Sequence, residues 1–325
     1  MNNKTILITG FSGFVARHFV EYLAGKCMNV HIIGIDVREP SLVLNMYEPN
    51  VKIDFFCIDM TNKDQLENVF KKHVPDYVLH LAAYSSVAYS WKHPAESFLN
   101  NSYIFLNLIE IVRDYNAKCR ILSVGSSEEY GRVNLEDIPL RENQDLFPLS
   151  PYAVARVSQE MLAKVFVEAY GLNIILTRSF NHIGPRQDQR FVVPSFINRI
   201  LEIKKTGNIS GSIETGDLSI IRDFVDVRDV VRAYYLLLVN GNIGQTYNIC
   251  SGMPVALNRI VELINEYLGM NVTTYVNPEY VRPQDNPIIV GSPFKIENEI
   301  GWYPEISLKK TIKDMIDYYE KNVDD

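Results

Sequence analysis

Long apolar runs are missing from this chain: nowhere does one approach the roughly 20 residues that a bilayer crossing requires. Its start, MNNKTILITG, runs straight into a glycine, without the apolar core and small-residue cleavage site of a secretory leader. Cysteine is also scarce. Cys27, Cys57, Cys119 and Cys250 stand apart with no CxxC or metal-ligand spacing, so reduced thiols and no metal site are expected. Positive charge is in deficit, with a net charge of −7 and a pI near 5.5. That balance argues against nucleic acid as a partner. There is no internal repeat, low-complexity tract or flexible linker. A cytoplasmic protein with no membrane partner is the expectation.

What is present is a large core in the making. The 325 residues are 47% hydrophobic, enough for one large domain or two closely joined ones. Short apolar runs rich in β-branched residues recur at 5–9, 30–35, 52–57, 77–81, 120–124 and 173–178. Segments of helical period separate them, with starts near Gly13, Lys63, Glu96 and Pro151. This alternation predicts an α/β fold: a doubly wound parallel sheet, or Rossmann domain, over residues 1–180. Beyond residue 180 glycine-containing turns separate further helices at 194–205, 227–239, 257–268 and 308–322. Residues 181–325 are read as a smaller C-terminal α/β lobe that binds substrate. Its run 246–249 is expected to rejoin the first sheet.

The segment Thr9-Gly10-Phe11-Ser12-Gly13-Phe14-Val15-Ala16 follows the first strand and opens the first helix. Gly10 permits a tight turn, Gly13 a close approach to a pyrophosphate, and Ala16 close helix packing. Free N–H groups at the helix start would hold phosphates. Asp36 closes the second strand, where a carboxylate accepts the hydroxyls of an adenosine ribose and repels a 2′-phosphate. NAD(H) is therefore favoured, although Arg38 could neutralise the extra phosphate of NADP(H). Asp59 is placed either at the adenine edge or as a helix cap. Leu81, Ala82 and Ala83 supply small side chains or open backbone after the fourth strand.

The second constellation is "SVGSSEEYG" followed by "SPYAVAR". Ser150 suits an N-cap and Pro151 the first helical position, which puts Tyr152 and Arg156 on one helix face. A hydroxyl from Ser126 or Ser127 would reach the same crevice at the carboxyl ends of the strands. Serine, tyrosine and a cation beside a dinucleotide make a hydride-transfer site. The serine holds a carbonyl oxygen, tyrosine exchanges its proton, and the cation stabilises a phenolate.

With "GSSEEYG", "SPYAVAR", "RSFNHIGPRQ", "IIRDFVDVRDVVRAYYLLL", "YNICSG" and "RPQDNP", the chain resembles the extended short-chain dehydrogenase/reductase family over nearly its whole length. It is most similar to the branch containing GDP-4-keto-6-deoxy-D-mannose reductases and GDP-mannose 4,6-dehydratases. The resemblance implies catalytic roles for Ser126, Tyr152 and Arg156, the last standing where the family has lysine. It gives Glu128 the position of the base in the dehydratases. It implies dinucleotide contacts from Gly10, Phe11, Ser12, Gly13, Phe14, Val15, Asp36, Arg38, Asp59, Met60, Leu81, Ala82, Ala83, Asn101, Tyr152, Arg156 and His182. For a GDP-sugar it implies Ser86, Ser127, Asn181, Arg186, Val193, Gly216, Arg222 and Arg282, with the arginines 222 and 282 on the diphosphate. The expected reaction is NAD(P)H-dependent reduction of a GDP-linked 4-keto-6-deoxy sugar. A GDP-sugar 4,6-dehydratase is the alternative, ahead of a C4 dehydrogenase or epimerase and of a binding protein without turnover. The family also implies a homodimer through a four-helix interface formed by residues 98–112 and 152–170.

Overall fold

The computed structural model describes residues 1–42, 44–47, 49–281 and 286–321. Its first half alternates strand and helix: β1 (Lys4–Thr9), α1 (Phe14–Gly25), β2 (Val30–Asp36), β3 (Val51–Cys57), α2 (Lys63–His73) and β4 (Tyr77–His80). Then come α3 (Val87–Lys92), α4 (Pro94–Phe98), α5 (Ile104–Tyr115), β5 (Arg120–Ser126), α6 (Pro151–Tyr170) and β6 (Asn173–Ser179). The second half holds β7 (Asn181–Ile183), α7 (Val192–Lys205), β8 (Ser210–Thr215), β9 (Ile221–Asp226) and α8 (Val227–Asn240). It continues through β10 (Thr246–Ile249), β11 (Pro254–Ala256), α9 (Leu257–Leu268), β12 (Asn271–Val276), β13 (Ile288–Ile289), α10 (Phe294–Ile300) and α11 (Leu308–Lys321).

Seven strands form one parallel sheet in the order β10-β6-β5-β4-β1-β2-β3. Side-chain alternation explains why it is covered on both faces. Ile6 and Ile8 of β1 enter one core with Ile32, Leu122, Ile175 and the helices α1 and α8. Leu7 points the other way, into a core with Ile33, Ile35, Val78, Ile121, Ile174 and residues of α2, α5 and α6. A third core joins α7, α9 and α11 to β8 and β12. The sheet is the Rossmann arrangement expected from the strand-helix alternation.

The two halves of the chain interlock. Helix α8 packs on α1, and β10 pairs with β6 from Thr246↔Leu176 to Ile249↔Ser179. Trp302 is fully buried in the same core as α1 and α8, and its indole N–H donates to the Asp229 carbonyl at 3.0 Å. Asp229 in turn accepts the backbone N–H groups of Glu305 and Ile306. These bonds fix the C-terminal segment against the sheet-covering helices.

Two local features depart from the sequence reading. The helix expected from Glu96 onward begins at Pro94 and passes through a π-turn, Leu99–Tyr103, before α5. Such turns widen a helix by one residue, and this one carries the buried Asn101. Strand β5 also runs two residues past Val124, because Gly125 and Ser126 remain paired with Arg178 and Ser179 of β6.

Candidate active site

The nucleotide end is built from backbone. Gly10 has φ of +69°, and a Cβ there would lie 2.8 Å from the amide nitrogen of Ala82. Both facts require glycine. Helix α1 has Gly13 at its N-cap position, with no side-chain cap and no acidic residue in its first turn, so its leading N–H groups remain available to an anion. Asp36 ties this turn to β2, accepting from the N–H of Ser12 at 3.0 Å and of Arg38 at 3.2 Å. Behind the turn, the Thr9 hydroxyl accepts from the N–H groups of Leu81 and Ala82, leaving its proton for Nδ1 of His80. Burial first, and Arg156 second, hold the His80 pKa down to about 3, so this ring is neutral. The uncapped helix, the glycine cradle and the strand-end carboxylate fit a dinucleotide.

The chemistry end is built from side chains. The Ser150 hydroxyl accepts from the Ala153 N–H at 3.1 Å, and Pro151 occupies the first turn of α6. Tyr152 and Arg156 are then one turn apart and both buried. Arg156 Nε donates to the Tyr152 hydroxyl at 3.3 Å, and its guanidinium carbon lies 5.3 Å from that ring's centre. Its Nη1 donates to the Val124 carbonyl at 3.0 Å and to Gln159 Oε1 at 2.9 Å. Gln159 is held in its turn by Ser123 Oγ at 2.8 Å. The guanidinium is thus locked between sheet and helix with one edge on the tyrosine oxygen.

Ser126 ends β5. Its hydroxyl accepts from the Glu128 N–H at 3.2 Å, which leaves the hydroxyl proton free to donate to a substrate oxygen. Ser127 is buried and Glu128 half-buried beside it. Glu129 closes a capping box by accepting from the Ser126 N–H at 2.7 Å. Burial, with Glu160 as second cause, pushes the Glu129 carboxyl up to about 8, so it is protonated at neutral pH. Glu160 is the ionised partner. Burial opposes its charge, but two bonds from Arg178 (3.0 and 2.8 Å) and one from Lys164 outweigh that and bring it down to about 2. A protonated acid, an ionised carboxylate and a fixed cation thus lie beneath the serine loop.

A sequence model described as GDP-mannose 4,6 dehydratase matches residues 7–315. The chain belongs to that family. Members of the GDP-mannose 4,6-dehydratase family are enzymes that act on nucleotide sugars with nicotinamide cofactors. A GDP-6-deoxy-D-mannose reductase of Pseudomonas aeruginosa is 29% identical, over 98% of each chain. A GDP-mannose 4,6-dehydratase of Vibrio cholerae is 25% identical, over 97% of this chain and 93% of its own. Among solved structures, RMD from Pseudomonas aeruginosa complexed with NADPH superimposes with a TM-score of 0.84. It is 27% identical, and the match covers 98% of this chain and all of that one.

Within this family member the expected site residues divide. Gly10, Ser12, Gly13, Asp36 and Ala82 converge on the turn between β1 and α1, and His182 stacks against Phe14 with ring centres 6.3 Å apart. Val15 lies half-buried in the first turn of α1, and Ala83 follows Ala82 at the same depth. Leu81 is tied to Thr9 at the back of the turn. Arg38 is exposed beyond Asp36, and Asn181 is exposed on β7 beside β9. Arg222 of β9 is buried, with Nη1 donating at 2.9 Å to the carbonyls of Ile221 and Asn286. Gly216 lies against the Tyr280 carbonyl, at a distance that excludes a side chain.

Other expected site residues have partners within the protein itself. Phe11 turns inward, filling the space under Gly34, and its N–H is bonded to Ile35 O, so it belongs to the core. Met60 is likewise a core residue. Asp59 accepts from the Thr61 N–H, whereas the cap of α2 is Asn62. Asn101 uses both ends of its amide on the Tyr84 backbone, which makes it a brace for the loop after β4. Ser86 caps α3, accepting from the Tyr89 N–H. Val193 is fully buried in the C-terminal core. Arg186 faces α1 and α11, pairing with Glu21 at 2.8 Å and lying over Tyr318. Arg282 falls outside the described residues. Gln159, Glu129, Glu160 and Arg178 were missed from sequence; only the i, i+3 spacing of Arg156 and Gln159 hinted at one of them.

Proposed function

We propose that the chain is an NAD(P)H-dependent reductase of a GDP-linked 4-keto-6-deoxy sugar. The observation that carries this reading is the buried Tyr152–Arg156 pair at the start of α6, with its 3.3 Å contact. A nicotinamide cofactor, when bound, would supply the hydride for C4. Ser126 donates a hydrogen bond to the C4 oxygen, and Tyr152 gives its hydroxyl proton to the alkoxide that forms. Arg156 stabilises the phenolate left behind. It carries a fixed charge and does not pass on a proton, so the proton returns to Tyr152 from water. Arg222 and Arg282 hold the diphosphate, Asn181 the sugar, and His182 the edge of the cofactor site. The full-length likeness to a reductase supports this choice within the family.

NAD(H) is the preferred cofactor, supported by Asp36, which ends β2 with its carboxylate against the turn that would hold the adenosine ribose. A second reading keeps Glu128 as a base beside Ser126 and makes the protein a GDP-sugar 4,6-dehydratase that recycles its dinucleotide. Incubation with GDP-4-keto-6-deoxymannose and NADH or NADPH separates the two. Cofactor oxidation with formation of a GDP-6-deoxyhexose is expected. Failure with every 4-keto sugar nucleotide, together with a 4-keto product from GDP-mannose in the absence of reductant, would establish the dehydratase instead. The chain is further proposed to pair with a second copy through α5 and α6. Tyr103, Val154, Met161 and Val165, all more than 40% exposed, support that face. A monomeric mass by light scattering would refute it.

A further inference from the structure

At the opposite edge of the sheet from β10, three ligand-type side chains meet that no catalytic role uses. Strands β2 and β3 pair with His31 opposite Lys52 and Ile33 opposite Asp54, so His31 and Asp54 are diagonal neighbours on one face. Helix α2 covers this face, and its last residue, His73, reaches the same point. His31 Nε2 is 2.7 Å from Asp54 Oδ2, and the rings of His31 and His73 are 5.8 Å apart at 71°. One donor atom from each of the three lies within 4.8 Å of the others. Nε2 of His73 is buried and has no hydrogen-bond partner. An unsatisfied imidazole nitrogen facing a histidine–carboxylate pair is unfavourable without a ligand.

We propose that His31, Asp54 and His73 form a binding site for a divalent transition-metal ion of the zinc type, with water as the fourth ligand. Two imidazoles and a carboxylate are a nitrogen–oxygen donor set that such ions accept and that Mg²⁺ and Ca²⁺ do not favour. The ion takes the place of the hydrogen bond between His31 Nε2 and Asp54 Oδ2, and a neutral imidazole that binds through one ring nitrogen keeps its proton on the other. Tetrahedral bonds of about 2.0–2.1 Å put ligand atoms roughly 3.3 Å apart, so the 4.8 Å spread must contract through side-chain rotation. Two cations oppose the ion. Lys72 is one, and Lys52 lies 3.7 Å from Asp54 Oδ2, but Lys52 is 63% exposed and can swing outward. The site joins α2 to β2 and the edge strand β3, well removed from the strands' carboxyl ends, so its role is to clamp that edge.

The test uses untagged, chelator-treated protein titrated with Co²⁺ and then Zn²⁺. One Co²⁺ per chain, a visible d–d band of low coordination number, its loss on adding Zn²⁺ and a rise in melting temperature are expected. His31→Ala, His73→Ala and Asp54→Asn should each weaken binding at least about tenfold, since even outer-shell changes at metal sites do as much. Asp54→Asn preserves shape, and circular dichroism of the metal-free variants shows that each is folded. Absence of the band, or its persistence in both histidine variants, would overturn the proposal. So would a thiolate-to-cobalt band that disappears in Cys27→Ser, Cys57→Ser protein, since both thiols are exposed.

Discussion

The two ends of the crevice are made of different materials. At the nucleotide end the work falls to backbone: a left-handed glycine, an uncapped helix and a strand-end carboxylate. At the chemistry end it falls to side chains that hold one another, from Ser123 through Gln159 and Arg156 to Tyr152. The first end tolerates change at most side chains but not at Gly10. The second should fail in graded fashion, according to how many bonds each change removes.

Tyr152→Phe should give the largest effect, because it deletes the proton donor while keeping the ring. Reductase kcat should fall by about 10²–10⁴ with dinucleotide affinity retained, measured by turnover and by fluorescence titration. Arg156→Met comes next. It strips donors from the Val124 carbonyl and Gln159 Oε1 as well as the charge beside the tyrosine. An activity loss of about 10²-fold and about 1–3 kcal/mol of stability are expected, read by kinetics and denaturant melts. Arg156→Lys keeps the charge but one ammonium cannot serve all three partners, so it should retain measurable activity below that of the parent. Equal activity of Arg156→Met and the parent would remove the arginine from the mechanism.

Gly10→Ala tests the other end. Left-handed backbone costs a residue with a Cβ about 1–2 kcal/mol, before the Ala82 clash is counted. A lower melting temperature and a raised dinucleotide KM are expected, with kcat at saturation much less affected. The last prediction concerns pH. Glu129 titrates near 8 in the folded chain and near the ordinary carboxylate value when unfolded. Between these values the folded state holds the extra proton, so stability contributed by the neutral acid is lost as pH rises toward 8. Glu129→Gln keeps a neutral acceptor for the Ser126 N–H and should flatten that slope in melts from pH 5 to 8.

The same contrast explains what could be read from sequence. Backbone demands leave marks in order: strand, Gly10, Gly13, helix, then Asp36 at a strand end. The Rossmann sheet and the contact between Tyr152 and Arg156 were legible because periodicity and i, i+4 spacing are local. Residues brought together by the sheet were not. Glu160 and Arg178 meet only because α6 packs over β6, and Asn101 reaches Tyr84 only because a π-turn rotates it there. The placing of Arg186 was equally hidden: its positive φ and its pairing with Glu21 of α1 come from the fold and not from the spacing of its motif.

Strand β10 carries a consequence for how the chain is made. It is the last strand of the seven to be synthesised, separated from its partner β6 by β7, α7, β8, β9 and α8. Until it emerges from the ribosome, β6 is a naked sheet border with unpaired peptide groups, next to apolar residues that α8 has not yet covered. A nascent chain ending near residue 240 is therefore at its most adhesive, and late release of Thr246–Ile249 sets the moment at which it becomes safe from its neighbours.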